Sequence, residues 1–167
     1  MNYFELFEIP IQLQVDAKQL SGKFLQLSRR YHPDFFTQDT PEAQEEALQQ
    51  SALLNKAWNV FQQPDEILAY VLKLKGLLTE QEKFQLDPAF LMEMMEINEA
   101  IAENDPARQT SLNERLVELQ QEIYAPVKKI VEEYQEGVTT EADLLKIKAY
   151  YFQKKYLDRI SSSLAPL

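Results

Sequence analysis

The sequence contains no cysteine and a single histidine. It therefore has no disulfide framework, no thiol nucleophile, no thiolate ligand for zinc or an iron–sulfur cluster, and no multi-histidine metal site. Glycine is almost as scarce, with three in 167 residues, which removes glycine-rich phosphate loops and most hairpin turns and leaves helix as the expected structure. No stretch approaches the roughly 18 apolar residues of a membrane span. Residues 1–10 carry Glu5 and Glu8 where a signal peptide has cations and an apolar run, so the expectation is a cytoplasmic chain with no membrane partner. Cations are also in deficit: 17 Lys and Arg against 27 Asp and Glu give a net charge of -10. That argues against nucleic acid as the main partner, because phosphate binding needs positive surface, and in favour of another protein.

What is present is helical periodicity, punctuated by proline. Residues 2–7 form a short aromatic turn of helix, closed by Ile9-Pro10, since the residue before proline disfavours helix. Asp16 caps a helix whose apolar residues Leu20, Phe24, Leu27 and Tyr31 recur at spacings of one buried stripe. It stops at His32-Pro33. Thr40-Pro41 starts a second long helix with Leu54, Ala57, Trp58 and Phe61 on its stripe, and a shorter one from Asp65 ends at a Gly76 cap. Residues 76–86 read as a linker. Asp87-Pro88 and Asp105-Pro106 each start a further helix by the same cap-and-proline logic. The second of these carries Leu112, Leu116, Leu119, Ile123, Val127, Ile130 and Tyr134, is expected to kink at Pro126 and ends at Gly137. Thr140 caps the last helix, with Leu144, Ile147, Tyr151, Leu157, Ile160 and Leu164 apolar. The chain is expected to be all-α, its second part a three-helix bundle.

Between the first two long helices lies Tyr31-His32-Pro33-Asp34-Phe35-Phe36, where proline breaks the helix and displays its neighbours. The helix leading into it carries Lys18, Lys23, Arg29 and Arg30 and no acid, a local reversal in an acidic chain. Lys18 and Arg29 fall opposite the apolar stripe on a helical wheel; they form either a cationic docking face or an ordinary solvated one. His32 and Asp34 could be drawn as an acid–base dyad, but no nucleophile or oxyanion donor is marked nearby, so no catalytic residue is assigned. A helix-turn-helix that reads DNA is the alternative from another class, but eight residues separate Tyr31 from Thr40 where that motif takes three or four.

The short first helix, the basic helix, the His-Pro-Asp tripeptide and the second long helix with Leu54-Asn55-Lys56-Ala57-Trp58 and Gln63-Pro64 together resemble a J-domain. The resemblance implies an antiparallel helical hairpin plus short helices over residues 1–75. It also implies a non-enzymatic co-chaperone that contacts a DnaK-class chaperone through His32, Pro33, Asp34, Lys18, Lys23, Arg29 and Arg30 and stimulates its ATP hydrolysis. J-domains commonly carry lysine after the tripeptide, whereas Phe35 stands here, which removes one cationic contact.

Residues 90–103 hold two apolar stripes. Phe90, Met94, Ile97 and Ile101 make a sufficient core face; Leu91 and Met95 point elsewhere, and Met92 lies beside Glu96, Glu99 and Glu103. Methionines edged by carboxylates suit protein docking, and burial of both stripes against two neighbouring helices is the alternative. With the Phe90-Leu91-Met92-Glu93 opening, the N-terminal Asn2-Tyr3-Phe4-Glu5-Leu6-Phe7 and the Ala69-Tyr70-Val71-Leu72-Lys73-Leu74-Lys75-Gly76 segment, the whole chain resembles the HscB family of J-type co-chaperones. That resemblance implies a C-terminal domain over residues 87–167 that binds the iron–sulfur scaffold IscU through Leu91, Met92, Met95, Glu96, Glu99 and Glu103, with Tyr150 or Tyr151 from the last helix. The chaperone would be HscA or a general DnaK, and no metal or cofactor would be held by this chain.

Overall fold

A computed structural model describes residues 1–164, and residues 165–167, the expected end of the C-terminal domain, lie outside the described residues. Eight α-helices and two 3-10 turns are present among the described residues, with no strand. The chain divides into two compact units, residues 1–71 with 135–138, and residues 72–134 with 139–167.

In the first unit α1 (Tyr3–Leu6) begins with a capping box in which the Asn2 side chain accepts from the Glu5 N–H and the Glu5 carboxylate accepts from the Asn2 N–H, satisfying donors that a helix start leaves unpaired. α2 (Ala17–Tyr31) is capped by Asp16, which accepts from the N–H groups of Lys18 and Gln19. α3 (Pro41–Phe61) is capped by Thr40 with proline in its first turn. The two pack together as the expected helical hairpin, with α1 against α3. The interior is aromatic. Trp58 stacks on Phe24 at 4.7 Å and on Phe7 at 6.4 Å, Phe61 meets Phe4 and Phe7, and Leu27 and Leu54 are fully buried. Tyr3 stacks on Tyr70 of α4 (Pro64–Leu74) with ring centroids 4.2 Å apart, and its N–H donates to the Tyr70 hydroxyl at 2.9 Å. Burial of that phenol pushes its pKa up.

α4 ends in a Schellman motif: Gly76 has φ of +73°, its N–H reaches the Lys73 carbonyl, and the Leu77 N–H reaches the Leu72 carbonyl. Glycine is required because other residues resist the left-handed region.

The second unit is a three-helix bundle of α5 (Pro88–Ala102), α6 (Gln109–Tyr124) and α8 (Glu141–Ser163). Met94, Ile97, Ala100, Leu112, Leu116, Leu119, Leu157 and Ile160 form its core, with Phe90 and Ile101 packed against it. Four expectations are corrected. Asp105-Pro106 opens a 3-10 turn (Pro106–Arg108), not the helix itself, and α6 starts at Gln109. Pro126 breaks the next helix instead of kinking it: proline lacks an N–H and its ring crowds the preceding turn, so α6 ends at Tyr124 and α7 (Lys128–Glu133) starts afresh. Gly137, with φ of +82°, lies in the turn beyond α7 and does not end it. On α8 it is Tyr150, not Tyr151, that continues the buried stripe; three residues from Ile147 keep it on the same face.

Candidate functional site

The first candidate surface is the end of α2. His32 does two local jobs, terminating α2 and capping the 3-10 turn Pro33–Phe36. Its Nδ1 accepts the Asp34 N–H at 3.2 Å, so the ring proton of the neutral imidazole sits on Nε2, on a side chain that is half exposed. Asp34 Oδ2 lies 3.6 Å from the same Nδ1, close but beyond hydrogen-bond length for a nitrogen whose lone pair is already used. The Phe35 N–H donates to the His32 carbonyl at 3.1 Å, and the Phe35 ring stands edge-on to the imidazole at 6.2 Å with 70% of its surface exposed. Gln44 of α3 donates to the carbonyls of Thr37 and Asp39, fastening the connection to the hairpin. The tripeptide is thus a rigid turn and not an open loop, and it presents an N–H donor, a carboxylate and an aromatic ring.

The expected cations divide. Lys18, Arg29 and Arg30 are exposed. Lys23 is tied to Glu8 at 2.6 Å, and its ammonium holds the Glu8 carboxyl below its ordinary 4.5. No local pattern marks this pair, because its members lie 15 residues apart, one in the turn after α1 and the other on α2.

The second candidate surface is on α5. Asp87 caps the helix by accepting the Phe90 N–H, which sets the register of everything after it. Met94, Ile97 and Ala100 turn inward, whereas Met92 is 63% and Met95 53% exposed; Leu91 is half-buried and Glu96, Glu99 and Glu103 are exposed. The second stripe is therefore a surface. Of its neighbouring acids, Glu93 takes a bidentate bond from Arg115 of α6, with Nη2 donating to Oε1 at 2.9 Å and Nε to Oε2 at 3.1 Å, and Glu103 pairs with Arg108. Glu96 and Glu99 carry no ion pair among the described residues. Arg115 also bonds Glu118 and Glu122, and these carboxylates, Glu93 first, push its pKa above the ordinary arginine value. This fork ties α5 to α6 beside the exposed methionines, and no local sequence pattern marks it because 22 residues separate the partners. Tyr150 is 7% exposed, its ring against Tyr124; Tyr151 is half-buried, in contact with Phe152 and beneath Lys155.

A J-domain hairpin followed by a helical bundle is the architecture of a J-type co-chaperone. Residues 86–165 match the family model described as the HSCB C-terminal oligomerisation domain. Human co-chaperone protein HscB is similar over 98% of this chain and 80% of its own, at 28% identity and a TM-score of 0.78. Chaperone HscB from Vibrio cholerae is similar over 99% of this chain and all of its own, at 29% identity and a TM-score of 0.66. Residues 86–165 thus carry the C-terminal domain of the HscB family, and over its whole length the chain is similar to HscB co-chaperones.

Proposed function

We propose that this co-chaperone binds the iron–sulfur scaffold IscU on the α5 surface, presents it to a DnaK-class chaperone, HscA or a general DnaK, and stimulates that partner's ATP hydrolysis through the His32 turn. The observation that carries the reading is the pair of exposed methionines beside two unpaired carboxylates. A helix already sealed to its core by Met94, Ile97 and Ala100 has no folding use for Met92 and Met95 at its surface, and such a patch suits a partner with apolar and basic groups. At the other surface the His32 Nε2–H and the Asp34 carboxylate offer a donor and a bidentate acceptor, and Lys18, Arg29 and Arg30 supply positive charge for an acidic partner. Neither surface has the nucleophile, base and oxyanion donors of a catalytic site, so the chemistry is assigned to the partners and no enzyme activity to this chain. Leu91 contributes at the edge of the α5 patch and Tyr151 is the aromatic chosen over the core residue Tyr150. The domains are taken as 1–75, 76–86 and 87–167, and the compartment as cytoplasmic.

Two measurements test this. A calorimetric titration with purified IscU should show saturable binding that Met92→Ala with Met95→Ala weakens. His32→Gln should abolish stimulation of HscA or DnaK ATPase while the circular dichroism spectrum stays native. Undiminished stimulation would overturn the assignment of the first surface, and absence of IscU binding that of the second.

A further inference from the structure

Lys83, Lys155 and Arg159 meet at one groove of the second unit. Residues 82–86 lie along α8, held by Phe84 stacked on Phe152 at 4.6 Å with planes 2° apart and by Lys148 paired with Glu82 at 2.6 Å. The groove beside this strap has a volume of about 350 Å³. Its apolar part is made by Phe84, Phe152 and Tyr156, all half-buried, and its rim by the exposed Lys83, Lys155 and Arg159. The carboxylate among the lining residues, Glu82, is already occupied by Lys148. None of the three rim cations has an ion pair among the described residues, and Lys155 makes only a long contact to the Tyr151 ring at 5.8 Å.

In a chain of net charge -10, three uncompensated cations around aromatic rings select an anionic partner with apolar side chains. Spacing narrows the choice. Lys155 and Arg159 are one helical turn apart, about 6 Å along the axis, and alternate side chains of an extended chain repeat at about 6.6 Å. We propose that the groove binds an extended acidic segment of a partner protein, with carboxylates at alternating positions against Lys155 and Arg159 and an apolar side chain on Phe84 and Tyr156. The site is built from the strap and α8 and needs neither IscU nor the chaperone.

The test uses the full chain and a fluorescein-labelled peptide with glutamates at alternating positions and one phenylalanine, followed by fluorescence anisotropy. Binding should be saturable and weakened by salt. Lys155→Glu with Arg159→Glu should reduce affinity about tenfold or more, while Lys129→Glu on α7 leaves it unchanged and the glutamine version of the peptide fails to bind. The proposal is overturned if the double variant, native by circular dichroism, binds as the parent does, if the glutamine peptide binds equally, or if no saturable binding occurs. It is equally overturned if sedimentation shows a dimer that the double variant dissolves, since the groove would then be filled by a second copy of this chain.

Discussion

Met94 and Met95 are neighbours in sequence and opposites in environment, the first fully buried and the second 53% exposed. Burial decides what each can report. Met94→Ala removes packed volume from the bundle core and should cost about 2–5 kcal/mol. Met92→Ala and Met95→Ala remove surface atoms and should leave stability within about 0.5 kcal/mol. If the α5 patch is a binding hot spot, the two surface changes together should weaken IscU binding by about 2 kcal/mol or more; the check is to set calorimetric affinities beside urea midpoints for the same proteins. Leu91 is a less useful probe because it is half-buried and its removal mixes packing with recognition. His32 needs similar care. Its Nδ1 caps the turn, so His32→Asn, which keeps a capping oxygen, separates loss of the displayed Nε2–H from loss of the turn itself.

At the scale of the element, proline and the capping residues made much of the helical order legible. Asp16, Thr40, Asp87 and Thr140 all accept backbone N–H bonds at the starts foreseen for them, because such caps act within a few residues of chain. Gly76 was legible for the same reason, and Gly76→Ala supplies a matching prediction. An added Cβ there meets nothing within 4 Å, so the cost is conformational alone, about 1–2 kcal/mol, measurable as a lower urea midpoint with little change in far-UV circular dichroism. Less legible was anything that depends on a distant partner. The spacing at 90–103 allowed both stripes to be buried, and only the packing of α5 against α6 and α8 shows Met92 and Met95 outside. The run of aromatics at 150–152 is ambiguous by one residue, which on a helix is about 100° of rotation. The severity of the Pro126 break was likewise invisible, since α7 and its buried Val131 take up a register that the stripe ending at Ile130 and Tyr134 did not anticipate.

Across the whole molecule, lysine–carboxylate ion pairs shape the response to acid. The carboxyls of Glu8, Glu80 and Glu82 are held below their ordinary 4.5 by the hydrogen bonds and charges of Lys23, Lys73 and Lys148 respectively. A carboxylate with a lowered folded-state pKa binds its proton more readily in the unfolded chain. Its stabilisation is therefore complete above about 4.5 and disappears as pH falls through the lower folded value. Urea midpoints should accordingly decline below pH 4.5, and Glu82→Gln should flatten part of that decline; salt should reduce the share contributed by Glu8 and Glu80, whose carboxylates are exposed. Net charge describes this chain poorly, since α2 holds four cations and no acid while residues 90–105 hold five acids and no cation, and ion pairing then trims both sets. The exposed thioethers carry one last consequence. In a protein with no thiol, Met92 and Met95 are, with Met1, the sulfur atoms open to peroxide, while Met94 is sealed in the core. Conversion to sulfoxide makes an apolar side chain polar, so under the proposed function mild oxidation should weaken scaffold binding while leaving ATPase stimulation through the His32 turn unchanged, making the α5 surface the oxidant-sensitive part of the molecule.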